Sequence, residues 1–306
     1  MTLALIGAVL ALGGLPAEAT APAVRHAADR QAVAFDSSRA FEHIRQLVAI
    51  GPRPSGSPGI EQTRTYILGQ LRALGLTPEL QAFDASTPLG PIKMANIVVR
   101  IPGTRPERLL LTGHYDTKLF RQFRFVGADD GGSSAAMLLE LARVLKDRKN
   151  ACAIELVFFD GEEAMRPEWA GTDNTYGSRH FVEAAKRDGS LSTIGAMVLV
   201  DMVADRSLTI KRETYSTRWL TDLIWASAKK LGHTDAFLPD AFPIEDDHKA
   251  FLDAGVPAVD VIDLEYDAWH TANDTLDAVS ARSLQVVGDV LLDALPGIEA
   301  RIVSRK

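Results

Sequence analysis

Apolar residues recur along the chain with two different periods. Residues 37–50 place Ala40, Phe41, Ile44, Leu47 and Val48 three or four apart, the spacing of one helix face. Residues 60–74 repeat that spacing and stop at Gly75. Residues 133–145 carry it most clearly, through Met137, Leu138, Leu141, Val144 and Leu145. Further helices are predicted over 176–186, 217–231, 247–254 and 278–302, the last containing Pro296. Between them lie short apolar runs of strand length, at 80–83, 95–101, 108–112, 153–159, 196–201, 208–211 and 259–262. Helices alternating with apolar strands predict an α/β fold: a three-layer sandwich whose central, mixed but mostly parallel, twisted sheet has helices on both faces. The strands before residue 110 follow one another too closely for helical crossovers, so that part of the sheet is expected to be antiparallel.

The run at 153–159 organises the rest. Ile154, Leu156, Val157, Phe158 and Phe159 suit a strand buried on both faces, and the run stops at Asp160-Gly161-Glu162-Glu163. In open α/β sheets, sites form outside the carboxyl ends of the strands. Other polar groups fall at comparable positions. His114 and Asp116 follow 109–111, and Asp201 closes 197–200. Asp129 and Asp130 follow Val126-Gly127-Ala128, read as a further strand end, and Trp269-His270-Thr271 follows the last strand after a short loop. Each has an ordinary explanation alone. An Asp at a strand end forms turns, and an Asp before a helix suits its positive end. Together they bring imidazole and carboxylate to one sheet edge, the donor set of zinc. Two adjacent carboxylates at such an edge allow one to bind a metal while the other moves protons.

Composition narrows this picture without changing it. The 306 residues are 46% hydrophobic and 24% charged, enough for a large globular core. Net charge is -7 and Lys and Arg form no block, so nucleic acid is not an expected partner. Cys152 is the only cysteine, which excludes an internal disulfide and any multi-cysteine metal site; its place before the apolar strand predicts a buried structural thiol. An apolar stretch, 3–15, precedes Ala17-Glu18-Ala19, a small-x-small pattern. It is too short to span a membrane and reads as a secretory signal. Residues 1–30 are therefore expected to be a signal peptide and disordered leader, and 31–306 a single catalytic domain. The mature chain is expected to be exported, periplasmic or secreted, without stable membrane insertion.

Taken together the motifs resemble the clan of zinc aminopeptidases that also contains the glutaminyl-peptide cyclotransferases, or glutaminyl cyclases. The resemblance covers about 35–300 and rests on Gly113-His114-Tyr115-Asp116, Gly127-Ala128-Asp129-Asp130, Glu162-Glu163 and His270-Thr271. The cyclase branch is indicated by Phe158-Phe159-Asp160-Gly161-Glu162-Glu163-Ala164, Tyr176-Gly177-Ser178-Arg179-His180, Ile244-Glu245-Asp246-Asp247-His248 and Trp269 before His270. The resemblance implies one zinc ion held by Asp130, Glu163 and His270, with Glu162 as general base and acid. It implies that Asp201 and Asp246 form a hydrogen-bond network near the substrate amide, and that Trp169 and Trp269 wall the substrate pocket. The implied substrates are peptides or proteins with N-terminal glutamine, converted to pyroglutamate with release of ammonia. Glu245 stands where animal cyclases have a neutral amide, and Asp260 where they have histidine, so the fine hydrogen-bond pattern is expected to differ. A di-zinc aminopeptidase is the alternative, because His114 and Asp201 match the positions that hold a second metal in that branch. A non-enzymatic domain of the same fold predicts broken ligands, and none of the three is missing.

Overall fold

In the computed structural model, which describes residues 1–5 and 33–304, the elements run in the following order. They are α1 (Ser37–Ile50), α2 (Pro58–Ala73), β1 (Glu79–Thr87), β2 (Gly90–Ile101), β3 (Arg105–His114), α3 (Gly132–Leu145), β4 (Cys152–Phe159), α4 (Tyr176–Arg187), β5 (Ile194–Asp201), β6 (Ile210–Glu213), α5 (Arg218–Leu231), β7 (Phe237–Phe242), α6 (His248–Asp253), β8 (Ala258–Ile262) and α7 (Ala281–Ser304). Apart from its first five positions, the expected leader lies outside the described residues. No helix among the described residues is long and apolar enough to cross a membrane.

Six strands form one sheet in the order β1-β2-β4-β3-β5-β8, and β6 pairs with β7 separately. The β1/β2 and β2/β4 pairs are antiparallel, and β4/β3, β3/β5 and β5/β8 are parallel. The mixed sheet and its antiparallel side are therefore as the pattern predicts. The side-chain period of two sorts each strand between two cores. Leu109 and Leu111 of β3, Ile154, Leu156 and Phe158 of β4, and Val198 and Val200 of β5 face the larger core with α1, α2, α3, α5 and α7. Leu110, Val157, Phe159, Met197 and Leu199 face the smaller core with Phe181 of α4 and Phe251 of α6. Helices thus cover both faces. Cys152 is fully buried, and burial pushes its thiol up to about 11, as befits a structural residue.

Two local expectations differ. Val126-Gly127-Ala128 is not a strand end but part of a loop, because its carbonyls are taken by a side chain described below rather than by a neighbouring strand. Strand β7 was not predicted; Pro239 and Asp240 lie inside it, and it pairs only with the short β6.

The register matters most for function. His114 of β3 is opposite Phe159 of β4, and Asp201 of β5 is opposite Ile262 of β8. Four parallel strands therefore end level with one another, and their following loops share one edge.

Candidate metal centre and substrate pocket

At this edge the chain brings together all the residues singled out from sequence. His270 Nε2 lies 3.1 Å from Glu163 Oε1 and 3.3 Å from Asp130 Oδ2. His114 Nε2 lies 3.1 Å from Asp201 Oδ1 and 3.3 Å from Asp130 Oδ1. Asp130 therefore stands between two groups, Asp130/Glu163/His270 and His114/Asp130/Asp201. Within each, the ligand atoms all lie within 4.8 Å of one another. Glu162 belongs to neither trio: its Oε2 lies 3.8 Å from His114 Nδ1.

Backbone geometry separates the two glutamates. Gly161 takes φ +76, and a Cβ there would sit 2.5 Å from the Met94 sulfur, so only glycine permits the turn after β4. The Asp116 carboxylate then accepts the Glu162 and Glu163 amides at 3.2 and 3.3 Å. Asp160, just before the turn, accepts from Ser55 Oγ, Arg64 Nη2 and the Ala95 amide, which ties α2 and β2 to the end of β4.

The loop carrying Asp130 is held from both sides. Arg53, fully buried, donates to the carbonyls of Tyr115 (2.9 Å), Val126 (2.5 Å), Gly127 (2.7 Å) and Asp130 (3.4 Å). Asp274 accepts the amides of Asp129 (2.8 Å) and Asp130 (3.2 Å) and the Tyr266 hydroxyl (2.8 Å). Neither residue is apparent as a site residue from sequence. Asp129, beside Asp130, has a structural role, since its carboxylate accepts the Ala204 amide at 2.8 Å.

Among the described residues, three that are not glycine adopt positive φ: Thr175, Met202 and His270. All flank the site, where backbone strain is characteristically held by surrounding structure. The Thr175 amide donates to the Glu162 carbonyl at 2.7 Å, and Met202 lines the pocket directly after Asp201. The His270 ring stacks on Trp269 at 4.4 Å between centroids and meets the edges of Phe120 and Phe125.

The two trios open into a cavity of about 420 Å³ lined by Glu162, Glu163, Asp201, Asp246, Trp169 and Trp269. The two tryptophans are 38% and 42% exposed, so they form the rim and are not core packing. Lys118 also lines the cavity, buried, with Nζ 3.5 Å from Glu163 Oε2. It escaped the sequence reading because a lone lysine after a turn has no distinguishing pattern.

Electrostatics fits a site built for a cation. Asp130 Oδ2, Glu163 Oε2 and His114 Nδ1 are buried and make no well-formed hydrogen bond, their charged neighbours His270, Lys118 and Asp116 standing 3.3, 3.5 and 3.5 Å away, an arrangement a bound cation would complete. Their donor set of imidazole nitrogen and carboxylate oxygen is that of zinc. Burial alone raises Asp130, but the neighbouring imidazoles outweigh it and hold the carboxyl below the ordinary range. Burial pushes Glu162 well above the carboxylate range, with His114 opposing and Asp246 reinforcing the shift. Asp246 is pushed up to about 7 by burial and by Asp201. Behind it, His248 sits between Glu213 (3.1 Å) and Asp260 (3.7 Å). The expected departure at Asp260 is thus accompanied by an imidazole from a different position. Glu213 was not legible as a site residue; its carboxylate also accepts the Tyr215 and Ser216 amides.

A layered α/β sheet with a His/carboxylate centre at its strand ends defines the class, and the chain belongs to peptidase family M28, whose model matches residues 96–295. Within that class its similarity is to glutaminyl cyclases. It is 33% identical over 265 residues to a glutaminyl-peptide cyclotransferase-like protein of Bos taurus, covering 76% of this chain and 68% of the relative. The crystal structure of an Acidobacteriales bacterium glutaminyl cyclase superposes with a TM-score of 0.85 at 38% identity, covering 90% of this chain and 99% of that one. A leucine aminopeptidase precursor from Bacteroides thetaiotaomicron superposes at 0.79 with 24% identity, covering 87% and 98%, and supports the fold alone.

Proposed function

We propose that the chain is a glutaminyl-peptide cyclotransferase, acting on peptides or proteins with N-terminal glutamine and releasing ammonia, with residues 31–306 as one catalytic domain. The observation that carries this reading is the cavity itself, where Glu162, Asp201 and Asp246 face the Asp130/Glu163/His270 trio beside an aromatic rim. Similarity to glutaminyl cyclases over most of the chain supports the same reading.

Asp130, Glu163 and His270 would hold one zinc ion. Bound there, it supplies Lewis acidity toward the side-chain carbonyl of the substrate. The remaining work falls to the chain. Glu162 takes a proton from the substrate α-amine as its nitrogen forms a bond to the side-chain amide carbon, and returns that proton to the departing amide nitrogen, which leaves as ammonia. Asp201 and Asp246 orient that amide nitrogen. Trp169 and Trp269 confine the glutamine in a near-attack geometry and exclude water, so ring closure is an intramolecular step that competes well with hydrolysis. The chain is taken to act outside the cytoplasm, on the strength of the apolar leader pattern at 3–15.

The aminopeptidase reading retains one specific observation in its favour, the His114/Asp130/Asp201 group. Incubation with one Gln-initiated and one Leu-initiated peptide separates the two. The cyclase releases ammonia from the first and leaves the second intact, whereas free leucine from the second would establish the peptidase.

A further inference from the structure

A second cavity of about 460 Å³ adjoins the first and shares Trp169, Glu245 and Asp246 with it. Its remaining walls come from α4 and its preceding loop, and from α6. Three cations line it. Lys186 is paired with Glu183 at 2.8 Å and Lys249 with Asp253 at 3.2 Å, so each is neutralised locally. Arg179 differs: among the described residues no carboxylate lies within ion-pair distance of it. Its Nη2 instead donates to the carbonyls of Thr172 (2.7 Å) and Asn174 (2.6 Å), and its guanidinium lies 5.2 Å from the Tyr176 ring centroid. The guanidinium is therefore held in place at the groove wall by backbone carbonyls and not by an ion pair, with Glu183, Glu245, Asp246 and Asp253 elsewhere on the same lining. A fixed guanidinium of this kind is pre-organised to bind carbonyl or carboxylate oxygen.

The first cavity presents the Asp130/Glu163/His270 trio, against which the terminal residue of a substrate must lie. Once glutamine occupies it, the following residues must leave across its rim, and the wall shared through Trp169 and Glu245 leads into the second cavity. We propose that this second cavity binds the peptide segment that follows the N-terminal glutamine, with Arg179 donating to a carbonyl or carboxylate oxygen of that segment. The inference rests on the cyclase reading of the first cavity. It makes the substrate class a peptide of several residues rather than a glutamine derivative, with an added advantage for an acidic residue near the third position.

The test compares the amidated dipeptide Gln-Ala, the amidated pentapeptide Gln-Ala-Ala-Ala-Ala, and the same pentapeptide with Glu at its third position, using the zinc-loaded full chain. The wild type should show kcat/KM about tenfold higher for the pentapeptides than for the dipeptide, carried by KM, the effect of one charge-assisted hydrogen bond. Ala250→Arg, which adds bulk at the groove, should bring the pentapeptide-to-dipeptide ratio down towards one. Arg179→Gln should abolish the preference for Glu over Ala. Equal kcat/KM for all three peptides in the wild type overturns the proposal. So does an equal loss for both lengths in Ala250→Arg, which places the effect in the first cavity. Absence of ammonia from every peptide contradicts the cyclase reading instead.

Discussion

Glu163 Oε1 lies 3.1 Å from His270 Nε2, whereas Glu162, its neighbour in sequence, directs its carboxylate toward His114 instead. The turn at Gly161 and the two amide bonds to Asp116 fix this divergence. The first prediction follows directly. Glu162→Gln should keep zinc at wild-type stoichiometry and lose turnover by at least ~100-fold, the usual range for a general acid-base residue. Glu163→Ala should lose both. Metal analysis alongside ammonia release distinguishes them, and a Glu162→Gln protein cyclising at the wild-type rate would remove Glu162 from its role.

Arg53 and Asp274 hold the Asp130 loop by its carbonyls and amides respectively. Groups that orient metal ligands typically contribute 10–100-fold in affinity. Arg53→Met should therefore weaken zinc binding by roughly that factor, measured by competition with a chelator. Arg53→Lys should recover little of it, because one ammonium cannot serve the carbonyls of 115, 126, 127 and 130 at once as the planar fork does.

Trp269 stacks on His270 and stands at the cavity rim. Trp269→Ala should raise KM for a Gln-initiated peptide about tenfold, on the order of 1.4 kcal/mol for a lost aromatic wall. Zinc content should be unchanged. A rise in free glutamate-terminated product would report water entering where the indole had excluded it.

Far from the site, His43 Nδ1 hydrogen-bonds to the Tyr66 hydroxyl at 2.7 Å, and burial lowers its pKa from 6.5 to about 4. The folded state therefore resists protonation that the unfolded chain accepts. The associated stability is fully present above pH 6.5 and is lost as pH falls towards 4, by up to about 3 kcal/mol. His43→Gln should flatten this part of the stability profile. Denaturant unfolding at pH 7.5 and pH 4.5, at about those values, provides the comparison: an unchanged pH dependence would show that other groups dominate it.

Much of the fold was legible because the strands that bear the site are buried on both faces. Such strands read as continuous apolar runs, and the polar residues that end them stand out; this located His114, Glu162, Glu163 and Asp201. What stayed hidden depends on partners distant in sequence. Arg53 lies in a Gly- and Pro-rich loop, and only the folded chain brings it to the carbonyls of 115 and 126–130. Asp274, Glu213 and Lys118 are single charged residues in turns or short strands, indistinguishable there from surface groups. The β1/β2 hairpin proved longer than its apolar pattern because β1 is an edge strand with many exposed positions, where polar residues are tolerated.

The central claim is that the nucleophile is the substrate's own amine and not water. The most direct measurement is a product balance on one amidated Gln-initiated peptide, with ammonia, free glutamine and peptide mass determined in the same sample. Cyclisation predicts one ammonia per peptide consumed, a pyroglutamyl peptide of otherwise unchanged length, and no free glutamine. Release of free glutamine with a peptide shortened by one residue, and no ammonia, would contradict it.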